Sequence, residues 1–225
     1  LAQTETKTYI ATVKHTFIGI VCLFINTTVN PADTNKISLL TLPDLSGWES
    51  EKFSGETLYE VVNIDDRPVI RASSNHTASG LVRKITIDLT KTPYLNWSWK
   101  VDNVLTDVDE QQKSGDDYAA RVYVVISGGL LFWRTRAISY VWASRQPQNS
   151  SWPNAFTGNA VMVAVQSGPA LTGQWVTEKR NVLEDIKQLL DVDKTSIDAV
   201  AIMTDTDNSR QSATAYYGDI YFTAQ

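Results

Sequence analysis

Along most of the chain, β-branched and aromatic residues recur at alternate positions in short stretches that Gly, Pro, Asn, Asp or Ser closes off. A period of two puts successive side chains on opposite faces, the pattern of half-buried strands. It predicts ten strands, over 37–42, 58–62, 69–72, 81–89, 94–101, 118–127, 138–143, 161–165, 197–204 and 213–222. Strands at this spacing predict an all-β fold, an antiparallel β-sandwich or jelly roll. No repeat or linker divides the stretch 33–225, so it reads as one domain. One segment keeps a helical period instead. Val182, Leu183, Ile186, Leu189 and Leu190 share a face, so a short helix is expected over about 177–190.

The alternation also sorts side chains by face. In 94–101, Leu95, Trp97, Trp99 and Val101 form the predicted core side, with Asn96, Ser98 and Lys100 opposite. In 118–126, Ala120, Val122, Val124 and Ile126 point one way, Arg121 and Tyr123 the other. The last strand sets Tyr216, Ile220 and Phe222 against Tyr217, Asp219 and Tyr221. The polar aromatic set Lys100, Arg121, Tyr123, Tyr217, Asp219 and Tyr221 is either a solvated outer face or a binding surface. Trp48 and Trp152 stand in turn-rich stretches, where an indole either stacks on a ligand ring or plugs the end of the sandwich.

Residues 1–32 follow a different rule. Lys7, Lys14 and His15 precede an apolar run from Phe17 to Ile25, and polar residues follow it. This is the pattern of a signal peptide, and export to the periplasm or beyond is expected. The run is far short of the roughly 20 residues that cross a bilayer, so no transmembrane anchor is expected in the mature chain.

Composition narrows the chemistry. The chain has 225 residues, 43% hydrophobic and 20% charged, within the range of ordinary globular proteins. A net charge of −5 argues against a nucleic-acid partner, which needs a basic stripe. Cys22 is the single cysteine, and His15 and His76 are the two histidines. Cys/His zinc sites, disulfide frameworks and Cys–His nucleophiles are thereby excluded.

Two acidic groups remain as candidates. Asp116 and Asp117 precede a strand carrying Arg121, an arrangement that forms an ion pair, contacts a polar ligand, or supplies the carboxylates of glycoside hydrolysis. Asp205, Asp207 and Asn208 offer hard oxygens in close succession, a candidate structural calcium set. No other cofactor is expected.

The run Gly115-Asp-Asp-Tyr-Ala-Ala-Arg-Val-Tyr-Val124, with Trp97-Ser-Trp-Lys-Val101 before it and Ala201-Ile-Met-Thr-Asp-Thr-Asp-Asn208 and Tyr217-Gly-Asp-Ile-Tyr-Phe222 after it, resembles the exported bacterial family DUF3047. The resemblance spans about residues 40–222 and implies a jelly roll of the galactose-binding type found in carbohydrate-binding modules. In such modules an acidic residue near the final strand often serves a structural calcium, and Asp219 is the matching position. The expected function is therefore a non-catalytic binding module for a glycan or other envelope polymer. Asp116, Asp117, Arg121, Tyr123 and Tyr217 would supply polar contacts, and Trp48 and Trp152 stacking surfaces. The alternatives are an envelope polysaccharide hydrolase or lyase using Asp116 or Asp117, and a structural envelope protein without a ligand.

Overall fold

A computed structural model describes residues 35–37, 45–130 and 134–225. The expected targeting segment and most of the predicted strand 37–42 lie outside the described residues. The described residues form thirteen strands and one α-helix. In chain order these are β1 (Asn35–Ile37), β2 (Glu49–Ser54), β3 (Leu58–Ile64), β4 (Arg67–Asn75), β5 (Ala78–Asp88), β6 (Tyr94–Val101) and β7 (Tyr118–Ile126). Then come β8 (Arg136–Ala143), β9 (Ser151–Pro153), β10 (Ala160–Ser167), β11 (Val176–Asn181), α1 (Val182–Leu189), β12 (Ser196–Asp205) and β13 (Ser212–Thr223).

The strands build two facing sheets. The first has the order β11-β6-β13-β4-β3, with β1 also paired to β13; the second has the order β2-β5-β12-β7-β8-β10-β9. All pairs are antiparallel except β8 with β10. That exception arises because the chain crosses over β10 to add β9 at the far edge before returning.

The inward faces of both sheets meet in one core. Leu95, Trp97, Trp99 and Val101 are all buried there, as the alternation in β6 predicts. Trp97 packs edge-on against Trp99 at 5.5 Å between ring centroids and lies 5.4 Å from Tyr140 of the opposing sheet. Such pairs add about 0.5–1.5 kcal/mol beyond the area they bury.

Two expectations are corrected. The helix begins at Val182, and 176–181 is strand β11, paired along β6 from Val176↔Trp99 to Asn181↔Tyr94. The apolar face of 182–190 carried the helical signal, but the preceding residues satisfy their backbone in the sheet. Asn181 marks the boundary by accepting a bond from Glu184 N at 3.2 Å, an N-cap. In β13 the register shifts between Tyr217 and Ile220, so two residues occupy the bulge and the faces change over. Tyr217, Ile220 and Phe222 all point into the core, and Tyr216 lies outside beneath Lys100, whose Nζ is 4.2 Å from its ring centroid.

Strands β2 and β9 had no alternating signal. Every residue of β2 is exposed, as befits an edge strand, so hydrophobicity carries no trace of it.

Candidate functional site

Because Ala120, Val122 and Val124 of β7 face the core, Arg121 and Tyr123 face outward from the second sheet. A cleft of about 450 Å³ lies over them. Small or flexible side chains, Ala78, Ala160, Met162 and Met203, floor it and leave its depth open. Phe53 from edge strand β2 walls one side, and Phe156 from the loop after β9 walls the other. Both rings are largely exposed, at 68% and 55%.

Arg121 organises the polar part of the floor although it is only 3% exposed. Its Nε donates to Asp205 Oδ1 at 2.8 Å and its Nη2 to Asp205 Oδ2, a bidentate pair. Nη2 also donates to the Asp116 carbonyl at 2.6 Å, and Nη1 to the Tyr123 hydroxyl at 3.0 Å. The guanidinium lies over the Tyr118 ring, 4.2 Å from its centroid. Burial works against the Arg121 charge, but Asp205, Tyr123 and Asp116 outweigh it and hold the group above its usual pKa. Burial also raises the Tyr123 phenol, opposed by Arg121, so it stays a neutral donor and acceptor at the cleft.

The loop before β7 delivers Asp116. A single 3-10 turn at Lys113–Gly115 brings Gly115 against the backbone of Asp109, where a Cβ would sit 2.6 Å from Asp109 N. Only glycine fits. Gly115→Ala should displace this turn and lower the melting temperature by roughly 3–8 °C through about 1–2 kcal/mol of overpacking, read by differential scanning calorimetry; an unchanged transition would contradict the close approach.

Asn154 ties the opposite wall to Asp116. Its Nδ2 donates to Asp116 Oδ2 at 2.8 Å, while its Oδ1 accepts from Phe156 N at 3.0 Å and Thr157 N at 3.2 Å. This Asx turn fixes the loop that carries the Phe156 ring. Lys113 Nζ lies 5.4 Å from that ring's centroid.

Asp116, Arg121 and Tyr123 thus meet at the cleft. Asp117 turns away from it: its Oδ1 accepts from Asn208 N at 3.3 Å and Nδ2 at 3.2 Å, and its Oδ2 from Ser209 N at 2.5 Å. It caps the turn between β12 and β13. Two carboxylates so oriented do not flank one scissile bond. Tyr217 is fully buried, its hydroxyl donating to Met203 O at 2.6 Å, and offers nothing to a ligand. Trp48 belongs to the main core and Trp152 to a smaller cluster with Tyr118, Val141 and Met162, so both indoles are buried by packing and neither is an exposed stacking platform.

Of the expected calcium set, Asp205 and Asp207 come together, with Asn208 Nδ2 donating to Asp207 Oδ1 at 3.3 Å, and Asp219 does not join them. Asp219 lies on β13 in the first sheet and lines a different cavity. The carboxylates that do converge are Asp117, Asp205 and Asp207, with oxygens within 4.8 Å of one another. Burial, with Asp117 beside it, holds the Asp207 carboxyl above the usual aspartate pKa. Both Asp205 oxygens bond to Arg121, and both Asp117 oxygens accept N–H groups. The guanidinium supplies the positive charge that a calcium ion would bring, so the set fits an arginine-neutralised turn and not a calcium site.

Sequence reasoning missed Phe53, Asn154 and Phe156. A lone aromatic in the charged run Glu49-Ser-Glu-Lys-Phe-Ser54 was the available signal for the first, and Asn two residues before Phe for the others.

The family described as "Protein of unknown function (DUF3047)" matches residues 46–221. No curated protein matches the chain. Among solved structures, the family 11 carbohydrate-binding module of the cellulosomal cellulase Lic26A-Cel5E of Clostridium thermocellum is 11% identical, with 85% of this chain and 95% of that one covered and a TM-score of 0.46. The family 30 carbohydrate-binding module of Cel9D-Cel44B from the same organism is 13% identical over 80% and 92% of the two chains, with a TM-score of 0.45. The cellulose induced protein Cip1 is 10% identical over 85% and 97%, with a TM-score of 0.49.

Proposed function

Because the chain belongs to the DUF3047 family, whose description assigns no activity, we propose from the cleft itself that the protein is a non-catalytic glycan-binding module. The observation that carries this reading is the pair of exposed phenyl rings, Phe53 and Phe156, walling a cleft whose polar floor is already locked in place. Exposed aromatic rings of this size are costly to leave in water and suit a ligand with a flat apolar face. A sugar ring has such a face, and its hydroxyls match the Tyr123 phenol, the Asp116 carboxylate and the Asp207 carboxylate on the floor. Because Arg121 holds the Tyr123 hydroxyl and Asn154 the Asp116 carboxylate before any ligand arrives, little ordering entropy is lost at these two groups on binding.

Affinity gel electrophoresis against a panel of neutral plant and envelope polysaccharides tests it. Retardation by at least one polymer is expected, and Phe53→Ala and Phe156→Ala should each weaken it about 30-fold, or about 2 kcal/mol. Both side chains face solvent, so melting temperatures should stay within about 2 °C of the parent. A parent that no polymer retards, or retardation unchanged in both variants, overturns the reading.

A further inference from the structure

A second cavity, of about 290 Å³, opens on the outer face of the first sheet, across the sandwich from the cleft. Its origin is the bulge in β13. That strand pairs with β4 only as far as Tyr217↔Ile70 and with β1 from Ile220↔Ile37, while its register against β6 shifts over the same step. Gly218 and Asp219 therefore sit where the sheet changes partners. Gly218 has no side chain to fill the space beside the Ser98 hydroxyl, where a Cβ would meet Ser98 Oγ, so the surface stays hollow there.

Two walls rise beside this hollow. One is the tip of the β3–β4 hairpin, where Asp65 and Asp66 adopt φ of 51° and 59° and present Asp65 and Arg67. The other is Trp175, 38% exposed on a backbone that is held on both sides. Val176 next to it pairs with Trp99, and Gly173 N two residues earlier donates to Val101 O at 2.8 Å. The backbone that presents this partly exposed indole is thus anchored at both ends.

The lining chemistry names the class of occupant. Trp175, Asp65, Asp219, Arg67, Ser98 and Thr177, which carry one flat apolar ring, two carboxylates, a guanidinium and two hydroxyls, line a cavity at the small end of the ligand-pocket range. An anion would meet the two carboxylates and a cation the guanidinium. A neutral pyranose offers a C–H face to the indole and hydroxyls that both donate and accept. We propose that this cavity is an independent subsite for a neutral pyranose residue, so that the sandwich holds sugar on both outer faces and bridges two glycan chains. The proposal shares its ligand class with the cleft reading but none of its residues. Two such sites raise avidity for a polymer and none of the intrinsic affinities.

The experiment titrates the 15N-labelled protein with gluco-, manno-, xylo- and galacto-configured tetrasaccharides. It follows the Trp175 indole N–H resonance, assigned from Trp175→Phe, alongside the amides of 53 and 156. With at least one sugar the Trp175 resonance should shift, and it should still shift in the Phe53→Ala/Phe156→Ala double variant. Arg67→Ala, an exposed change, should weaken that shift about tenfold in affinity without moving the cleft signals. Cleft amides that shift while Trp175 stays still in every titration overturn the second subsite and leave the cleft reading standing. A Trp175 shift without any cleft response supports the subsite and overturns the cleft reading. Silence at both places overturns both.

Discussion

Arg121→Met will lower the melting temperature by roughly 6–20 °C, because removing one partner of a buried ion pair costs about 3–5 kcal/mol and each kcal/mol is worth about 2–4 °C in a domain of this size. Asp205 is 2% exposed and would lose both guanidinium bonds, keeping only the Tyr118 amide at 3.3 Å as a donor. The Asp116 carbonyl and the Tyr123 hydroxyl would lose a donor each. Arg121→Met/Asp205→Leu should recover part of the loss, since it removes the stranded Asp205 charge but still leaves the buried Asp116 carboxylate without the guanidinium that stands 4.0 Å from it. Thermal melts of the parent, the two single variants and the double close the cycle. A single Arg121→Met variant that melts within about 2 °C of the parent would show that the pair carries no such weight. On the glycan-binding reading proposed above, the double variant should also lose retardation in the affinity gels, since Arg121 holds the Asp116 carbonyl and the Tyr123 hydroxyl.

Glu110→Ala is the second large effect. Glu110 is fully buried, and its carboxylate accepts the backbone N–H groups of Ser144, of Arg145 at 3.2 Å and of Gln146 at 3.0 Å. It pins the chain leaving β8, which runs on to β9 and the Asn154 turn. Orphaning three partly buried donors costs about 2–4 kcal/mol, or roughly 5–15 °C, less whatever water recovers. Burial raises the Glu110 carboxyl above the usual glutamate pKa, although the three N–H bonds pull it down. The folded state then holds this proton more tightly than the unfolded chain. Its contribution is greatest below the unfolded value and declines as pH rises toward the folded one. The penalty of Glu110→Ala, measured by urea denaturation, should therefore be larger near about pH 4 than near about pH 7. A penalty that grows with pH would contradict the raised carboxyl.

Glu110 also shows where sequence reading stops. It stands in the polar run Asp109-Glu-Gln-Gln-Lys113, which by composition alone is a solvated loop. Nothing local distinguishes the one buried carboxylate from its exposed neighbours. Trp48 and Trp152 failed in the opposite direction, since a tryptophan in a turn-rich stretch has the same sequence whether it covers a core or meets a ligand. Strict alternation through Gly218 and Asp219 puts Tyr217 on the wrong face, because the bulge there shifts every later side chain.

By itself the sequence determined the β-sandwich class, the inward faces of β6 and β7 and the outward aim of Arg121 and Tyr123. All of these follow from a period of two, which each strand carries locally. Tertiary structure alone decided what those outward side chains meet. Arg121 finds Asp205 across 84 residues of chain, and the cleft takes its two aromatic walls from opposite edges of one sheet. Strand order and partner changes are products of long-range pairing between backbones. Alternation says which way a side chain points and nothing about which strand lies beside it.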